Sequence, residues 1–472
     1  MGRDLVIIGG GPSGLAAAYE AAGQGASVSL FESLDVVGGL ARTIVFEGSR
    51  FDIGAHRFFT KNTEVHDLFV NVLGDEAVRV ARLTRILNHG RYFDYPLTPV
   101  NAMLGVGLRS GVAITASYAT ARLRAVCAPS SINTFEDWIV DRFGRRLFET
   151  FFKGYTEKVW GIPCSEISAA WAAQRIKGLS LASALRNAFF KNTGGQIKTL
   201  VDEFIYPRLG AGQVYELMVD LIESLGGEVT TRAPVSLLRR EGNRVIAAKV
   251  ESASGPYEVE GRFFLVSAPL TDLVEMVEPK APEAVRRAAR ALRYREHIGV
   301  NLVIDGRPFP DNWMYVHSSE VALARIANYR SFSPAMAATD RLSPLTVEYF
   351  ASPGDELSSA SDASMMARAV DELCRLRLIE REQVVGGFVV RSDKAYPLME
   401  MGHEAHVATI KAWLDQFENL LPIGRAGMFK YNNQDHAMAT GLLAARTAIG
   451  LKRFDPWCVN IDAEYHESGP AL

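Results

Sequence analysis

Apolar and polar positions fall into two rhythms along this chain. Leu5-Val6-Ile7-Ile8 is a short, wholly apolar run that ends on Gly9-Gly10-Gly11-Pro12-Ser13-Gly14. An alanine-rich stretch from Leu15 to Gln24 follows, and then Ser27-Val28-Ser29-Leu30-Phe31-Glu32. A short apolar run bounded by turn residues reads as a buried strand, and an alanine-rich stretch as a helix. The chain therefore opens with a predicted strand–helix–strand unit. Asp52 to Arg57 and Arg85 to Tyr95 carry strand patterns, the second broken by the polar turn Asn88-His89-Gly90-Arg91. Residues 101 to about 190 read as mostly helical. Two strands are expected between Glu228 and Val250, another at Phe263–Ser267, and several between 295 and 350. Ala363 to Arg381 reads as helix, and Gly424 to Ile449 as a loop running into an alanine-rich helix.

Length and composition narrow the classes. At roughly 150 residues per domain, 472 residues suggest several domains. Apolar residues at 48% and charged residues at 22% exclude a disordered or fibrous chain. The net charge of −3 excludes the basic surplus of a dedicated nucleic-acid binder. Cys127, Cys164, Cys374 and Cys458 show no CxxC spacing, which fits a reducing cytoplasm and no disulfide scaffold. No histidine pair has HxH or HExxH spacing, so no metal is expected. The start of the chain does not read as a signal peptide, and no apolar run reaches the length of a membrane span. The nearest approach, Asn101 to Cys127, is interrupted by Arg109, Arg122 and Arg124 and reads as an amphipathic helix packed on the protein, with a membrane or partner contact as the alternative.

The opening unit carries chemistry. Gly9, Gly11 and Gly14 form a GxGxxG turn between strand and helix, and Glu32 ends the second strand. Glycine lets the backbone approach a pyrophosphate, the helix N-terminus offers free N–H groups, and the acidic residue accepts hydrogen bonds from ribose. A second pair, Gly38-Gly39, with Arg42 three residues on, suits a longer dinucleotide and selects FAD over NAD.

Further strings resemble the FAD-containing amine oxidase and UDP-galactopyranose mutase superfamily, most of all its mutase branch. They are Phe51-Asp52-Ile53-Gly54-Ala55-His56, Phe93-Asp94-Tyr95-Pro96-Leu97, Phe152-Lys153-Gly154-Tyr155-Thr156-Glu157-Lys158-Val159-Trp160, and Trp313-x-Tyr315 followed by Arg325 and Ser333-Pro334. Ala395-Tyr396-Pro397 and the run from Gly424 to His436 complete the series. The resemblance implies an α/β fold: a Rossmann-like, three-layer ββα FAD-binding domain, an interleaved antiparallel-sheet substrate domain and a helical subdomain. The expected boundaries are 1–75, 195–290 and 385–452 for the first, 76–100 and 291–384 for the second, 101–194 for the third, and a tail at 453–472.

By the same resemblance, non-covalent FAD is held by Gly9, Gly11, Ser13, Gly14, Glu32, Gly38, Gly39, Arg42, Val235, Arg425, Asn433, Gln434 and Asp435. The substrate, a nucleoside-diphosphate sugar, is held by Tyr95, Lys153, Trp313, Tyr315, Arg325, Tyr396 and Tyr431, with His56 and Arg325 as the catalytic pair. An arginine suits pyrophosphate because its planar fork donates two parallel hydrogen bonds, and phenols add further donors. The implied reaction is pyranose–furanose ring contraction through a reduced-flavin N5–sugar adduct, with NAD(P)H as a candidate reductant and a homo-oligomer compatible with the pattern. The chain departs from the mutase pattern at Lys153, Ala55, Thr98-Pro99 and Lys177-Gly178-Leu179-Ser180, which leaves the sugar and the base open. The alternatives are an oxidoreductase of the protoporphyrinogen or amine oxidase type and a non-catalytic FAD scaffold. Against an amine oxidase, the stretch from Ala281 to Asp393 has no lysine to water-bridge flavin N5.

Overall fold

The computed structural model describes residues 2–95, 97, 107–127, 131–175 and 203–460. Thr98-Pro99, Lys177–Ser180 and the end of the tail, 461–472, lie outside the described residues. The opening unit forms as strand Arg3–Ile8, helix Pro12–Gly23 and strand Val28–Phe31. Leu5 pairs in parallel with Val28 on one side and with Phe263 on the other. A central parallel strand is covered on both faces, which is why Leu5–Ile8 has no polar position. Its side chains alternate between two cores. Leu5 and Ile7 join helices Pro12–Gly23, Gln213–Ser224 and Gln434–Ala448. Val6 and Ile8 join Leu238, Val245, Leu273 and Trp413 on the opposite face.

One long strand links the layers. The first half of Tyr257–Val266 pairs antiparallel with Arg244–Val250, and its second half pairs in parallel with Arg3–Ile8. The sheet has eight strands in all; Leu420–Pro422 pairs with this same long strand. The region 228–250 holds three strands where two were expected: Glu228–Thr230, Val235–Glu241 and Arg244–Val250.

A second sheet of seven strands runs in the order Val384–Pro397, Tyr294–Asp305, Leu342–Ala351, Arg325–Asn328, Trp313–Val316, Thr84–Asn88 and Arg91–Asp94. Its core packs on helix Asp362–Arg375, which ends six residues before the expected Arg381. Two expected boundaries move. Val384–Pro397 pairs along its length with Tyr294–Asp305, so the break drawn at 384/385 falls inside this sheet. A Cβ on Gly387 would stand 2.4 Å from the Asn301 carbonyl oxygen, a close backbone approach. Ala77–Ala81 pairs with Glu203–Pro207 in a small separate sheet and not with the seven strands. The strand expected from Asp52 to Arg57 is instead Ser49–Asp52, after which the chain turns at Gly54.

The described part of 101–194 is helical: Leu108–Cys127, Phe135–Phe143, Gly154–Trp160 and Ala169–Arg175, with a π-helical turn over Phe148–Lys153. Leu108–Cys127 buries Ile114 but leaves Val112 and Leu123 more than half exposed, so it packs less completely than its pattern suggests. No helix of the described residues is long and apolar enough to cross a membrane.

Candidate active site

The glycine turn lies between the first strand and first helix. A Cβ on Gly14 would stand 2.0 Å from the Gly9 carbonyl oxygen, so only glycine lets the helix start this close to the strand. The helix begins at Gly11 with no side-chain cap and no acidic residue in its first turn. Its N–H groups and positive dipole end are therefore uncompensated, as an anionic ligand requires. Glu32 Oε1 accepts from the Leu34 N–H at 2.8 Å and from the Ser33 hydroxyl at 3.1 Å; Oε2 accepts from the Gly10 N–H at 2.6 Å and keeps a further lone pair for a ribose hydroxyl. Gly38, in the left-handed region, donates its N–H to the Gly10 carbonyl at 2.8 Å and so seats the second glycine pair against the first. Arg42 bonds the Gly39 carbonyl at 2.8 Å. These residues fit a dinucleotide.

The 424–435 loop meets this turn. A Cβ on Gly424 would stand 2.5 Å from Ser13 Oγ. Asn433 caps helix Gln434–Ala448, Gln434 accepts from Tyr215 at 2.6 Å, and buried Asp435 keeps one carboxylate oxygen without a hydrogen-bond partner. Val235 is half-buried at the start of its strand, just beyond the Ala233 N–H that donates to the Glu32 carbonyl.

Arg425 lies between the glycine turn and the seven-stranded sheet. Its Nε donates to the Asn432 carbonyl at 2.7 Å, and its guanidinium carbon stands 5.0 Å from the Tyr396 ring centre and 5.1 Å from that of Tyr431. Arg325 reaches Tyr396 from strand Arg325–Asn328, its Nη2 donating to the Tyr396 hydroxyl at 3.1 Å. The Tyr396 and Tyr431 rings are 5.8 Å apart. Tyr315, opposite Arg325 in the strand register, packs on Tyr95 at 4.6 Å and on Tyr155 at 5.7 Å. Two guanidinium groups and a set of phenols thus share one region.

Arg325 is also half of a buried ion pair. Its Nη2 lies 2.5 Å from Glu348 Oε2, which also meets His297 Nε2 at 3.0 Å. Glu348 is fully buried. Burial alone would raise its carboxyl, but Arg325 and His297 outweigh burial and hold it at about 2. His56 sits nearby, its Nδ1 3.1 Å from the Gly54 carbonyl oxygen. Burial, assisted by Arg425, pushes its imidazole down to about 4, so His56 is neutral at pH 7.

The structure brings His56, Arg325, Tyr315, Tyr396, Tyr431, Tyr95 and Arg425 into one neighbourhood. It does not bring Trp313 and Lys153 to the same contacts. The Trp313 ring is buried against Phe204 and Phe332, with Arg57 over it, in a packing position. Lys153 is exposed at the end of the π-helical turn, in which Phe148 and Phe151 are buried. On the Tyr396–Tyr431 pair the cation that joins Arg325 is Arg425. Glu348 and His297 escaped the sequence reading, although a lone carboxylate inside the apolar strand Leu345-Thr346-Val347-Glu348-Tyr349-Phe350 is a signal for a buried partner. Among the described residues no group of three or more His, Cys, Asp or Glu could hold a metal ion.

Parallel strands with a glycine turn, an uncapped helix N-terminus and an acid just after the second strand make up a dinucleotide-binding fold. The chain belongs to the flavin containing amine oxidoreductase family, whose model matches residues 12–406, and it is therefore a flavoprotein. It is 25% identical over 433 residues to the coproporphyrinogen III oxidase of Mycobacterium leprae (strain TN), covering 87% of this chain and 91% of that protein. It is 31% identical over 179 residues to a probable UDP-galactopyranose mutase of Klebsiella pneumoniae, covering 36% of this chain and 44% of the other. Its backbone matches a crystal structure of reduced UDP-galactopyranose mutase with a TM-score of 0.85, at 19% identity and with both chains fully covered.

Proposed function

We propose that this flavoprotein interconverts the pyranose and furanose forms of a nucleoside-diphosphate sugar. The observation that carries the reading is the convergence of Arg325 and Arg425 on Tyr396 and Tyr431, beside the cofactor turn. Two guanidinium groups with phenol donors suit a pyrophosphate, whose two negative charges need fixed donors around them. Bound flavin, reduced once by NAD(P)H or another donor, supplies the electron-rich centre for a ring contraction that leaves the sugar's oxidation state unchanged. Glu348 fixes the Arg325 fork by engaging Nη2, which leaves the other edge of the guanidinium to the ligand. Neutral His56 adds no charge beside the cofactor. The tyrosine rings exclude water around the phosphates.

A second reading is favoured by one observation, the similarity to coproporphyrinogen III oxidase along most of the chain. In an oxidase the same arginines would hold substrate carboxylates. One experiment separates the two: anaerobic incubation of dithionite-reduced protein with UDP-galactose and a panel of nucleoside-diphosphate sugars, with products resolved by chromatography. A furanose product formed over many turnovers, with the flavin still reduced at the end, supports the mutase. No ring-contracted product from any sugar, together with oxygen consumption by the oxidised protein in a parallel aerobic incubation with coproporphyrinogen III, assigns the oxidase.

A further inference from the structure

The last described segment of the chain, expected only as a tail, is bonded to the loop that carries the tyrosine region. Lys430 Nζ donates to the Trp457 carbonyl at 2.6 Å and to the Val459 carbonyl at 3.0 Å. Asn460 Nδ2 donates to the Tyr431 carbonyl at 3.2 Å and to Asn432 Oδ1 at 3.1 Å. Asn432 is buried, donates to the Gly424 carbonyl at 3.2 Å, and its own carbonyl receives Arg425 Nε. The segment is anchored at both ends. Thr447 Oγ1 accepts the Phe454 N–H at 3.0 Å, and Asp455 caps the short turn Pro456–Cys458 through the Trp457 N–H at 2.9 Å.

The loop needs such support. Phe429 has a φ of +48°, in the left-handed region that bulky residues avoid, and its ring is buried. A backbone held there persists only where its surroundings over-determine it. Lys430 follows at once, and its two carbonyl contacts are both to the C-terminal segment.

We propose that Asp455–Asn460 is a positioning strap: through Lys430 and Asn460 it fixes the 429–433 loop, and through Asn432 it sets where Arg425 and Tyr431 stand in the anion-binding region. Lys430 and Asn460 are thus positioning residues that act through Arg425 and Tyr431. The ligand-binding half of this inference rests on the proposed function; the loop-fixing half does not.

The test uses the full-length, FAD-loaded protein and three variants, Asn460→Ala, Lys430→Met and Lys430→Arg. Hydrogen–deuterium exchange over residues 424–434, flavin content, melting temperature and UDP affinity by calorimetry are measured on each. The expected result is faster exchange over 424–434 in Asn460→Ala and Lys430→Met, with flavin content retained. UDP binding should weaken about five- to tenfold, and Lys430→Arg should recover most of it. Unchanged exchange overturns the strap. Faster exchange with unchanged UDP affinity, where the wild type binds UDP, overturns its positioning role and leaves only a structural one. If the wild type binds neither UDP nor inorganic pyrophosphate, the proposed function has failed, and the strap is then decided by exchange alone.

Discussion

Removing Arg325 strands a buried carboxylate, and the size of that effect follows from the ion pair. Glu348 has no exposed surface, and its carboxyl is held at about 2, against an ordinary 4.5, because Arg325 and His297 overcome burial. That lowering corresponds to about 3 kcal/mol of native-state stability at neutral pH. The folded value lies below the unfolded one, so this contribution is present above pH 4.5 and lost as pH falls toward 2. Arg325→Ala should therefore cost about 3–5 kcal/mol at pH 7, the usual penalty for breaking a buried pair from one side. With the guanidinium gone, burial dominates and the Glu348 carboxyl rises. The variant should then regain relative stability as pH is lowered from 7 toward 5, whereas the wild type should gain nothing from this group. Arg325→Met combined with Glu348→Gln removes both charges and should recover part of the loss. Guanidinium chloride unfolding followed by tryptophan fluorescence at pH 5, 6 and 7 measures all three proteins. In parallel, UDP affinity of Arg325→Ala should fall at least about tenfold, since charge-assisted hydrogen bonds are worth roughly 1.5–3 kcal/mol each. A variant within about 1 kcal/mol of wild type at pH 7, with a double variant no more stable than the single, would refute the reasoning. It would mean that Glu348 finds other partners or water when Arg325 leaves.

Three further outcomes are expected. Gly14→Ala places a methyl group 2.0 Å from the Gly9 carbonyl oxygen, so the purified variant should lack the visible flavin absorbance of the wild type. Acid precipitation of wild-type protein should release the flavin into the supernatant; flavin retained in the pellet would contradict non-covalent binding. His56 is held at about 4, below its unfolded 6.5, so its contribution is present above pH 6.5 and lost as pH falls toward 4. His56→Asn should flatten the stability profile across that window, and an NMR titration of the wild type should show this imidazole neutral at pH 5.

The parts of the fold that sequence made legible are those governed by local rules. Leu5–Ile8 has no polar position because both faces of a central parallel strand are buried, and the glycines after it mark a turn that no other residue can make. Arg85–Tyr95 was readable as a hairpin from its polar turn. Pairings at long range were not. Nothing local in Val384–Pro397 says that it joins Tyr294–Asp305. The site divides the same way. Arg325, Tyr396 and Tyr431 stood out as polar residues in recognisable strings. Glu348 did not, because its meaning depends on a partner 23 residues away on a neighbouring strand. Lys153 and Lys158 show the limit most plainly. They are five residues apart on one helical stretch, yet Lys153 faces solvent while Lys158 gives its ammonium to the carbonyls of Val316, Ser318 and Leu323.

The long strand Tyr257–Val266 has a consequence for how the chain is made. Its end pairs with Arg3–Ile8 on one side and with Leu420–Pro422 on the other, so the flavin-binding sheet closes only when segments some 400 residues apart have met. On the ribosome, the glycine turn emerges early and then waits, without its flanking strand, until most of the polypeptide has been synthesised. Until Tyr257–Val266 has been made, the apolar edge of Leu5–Ile8 lacks its second partner and is open to wrong ones.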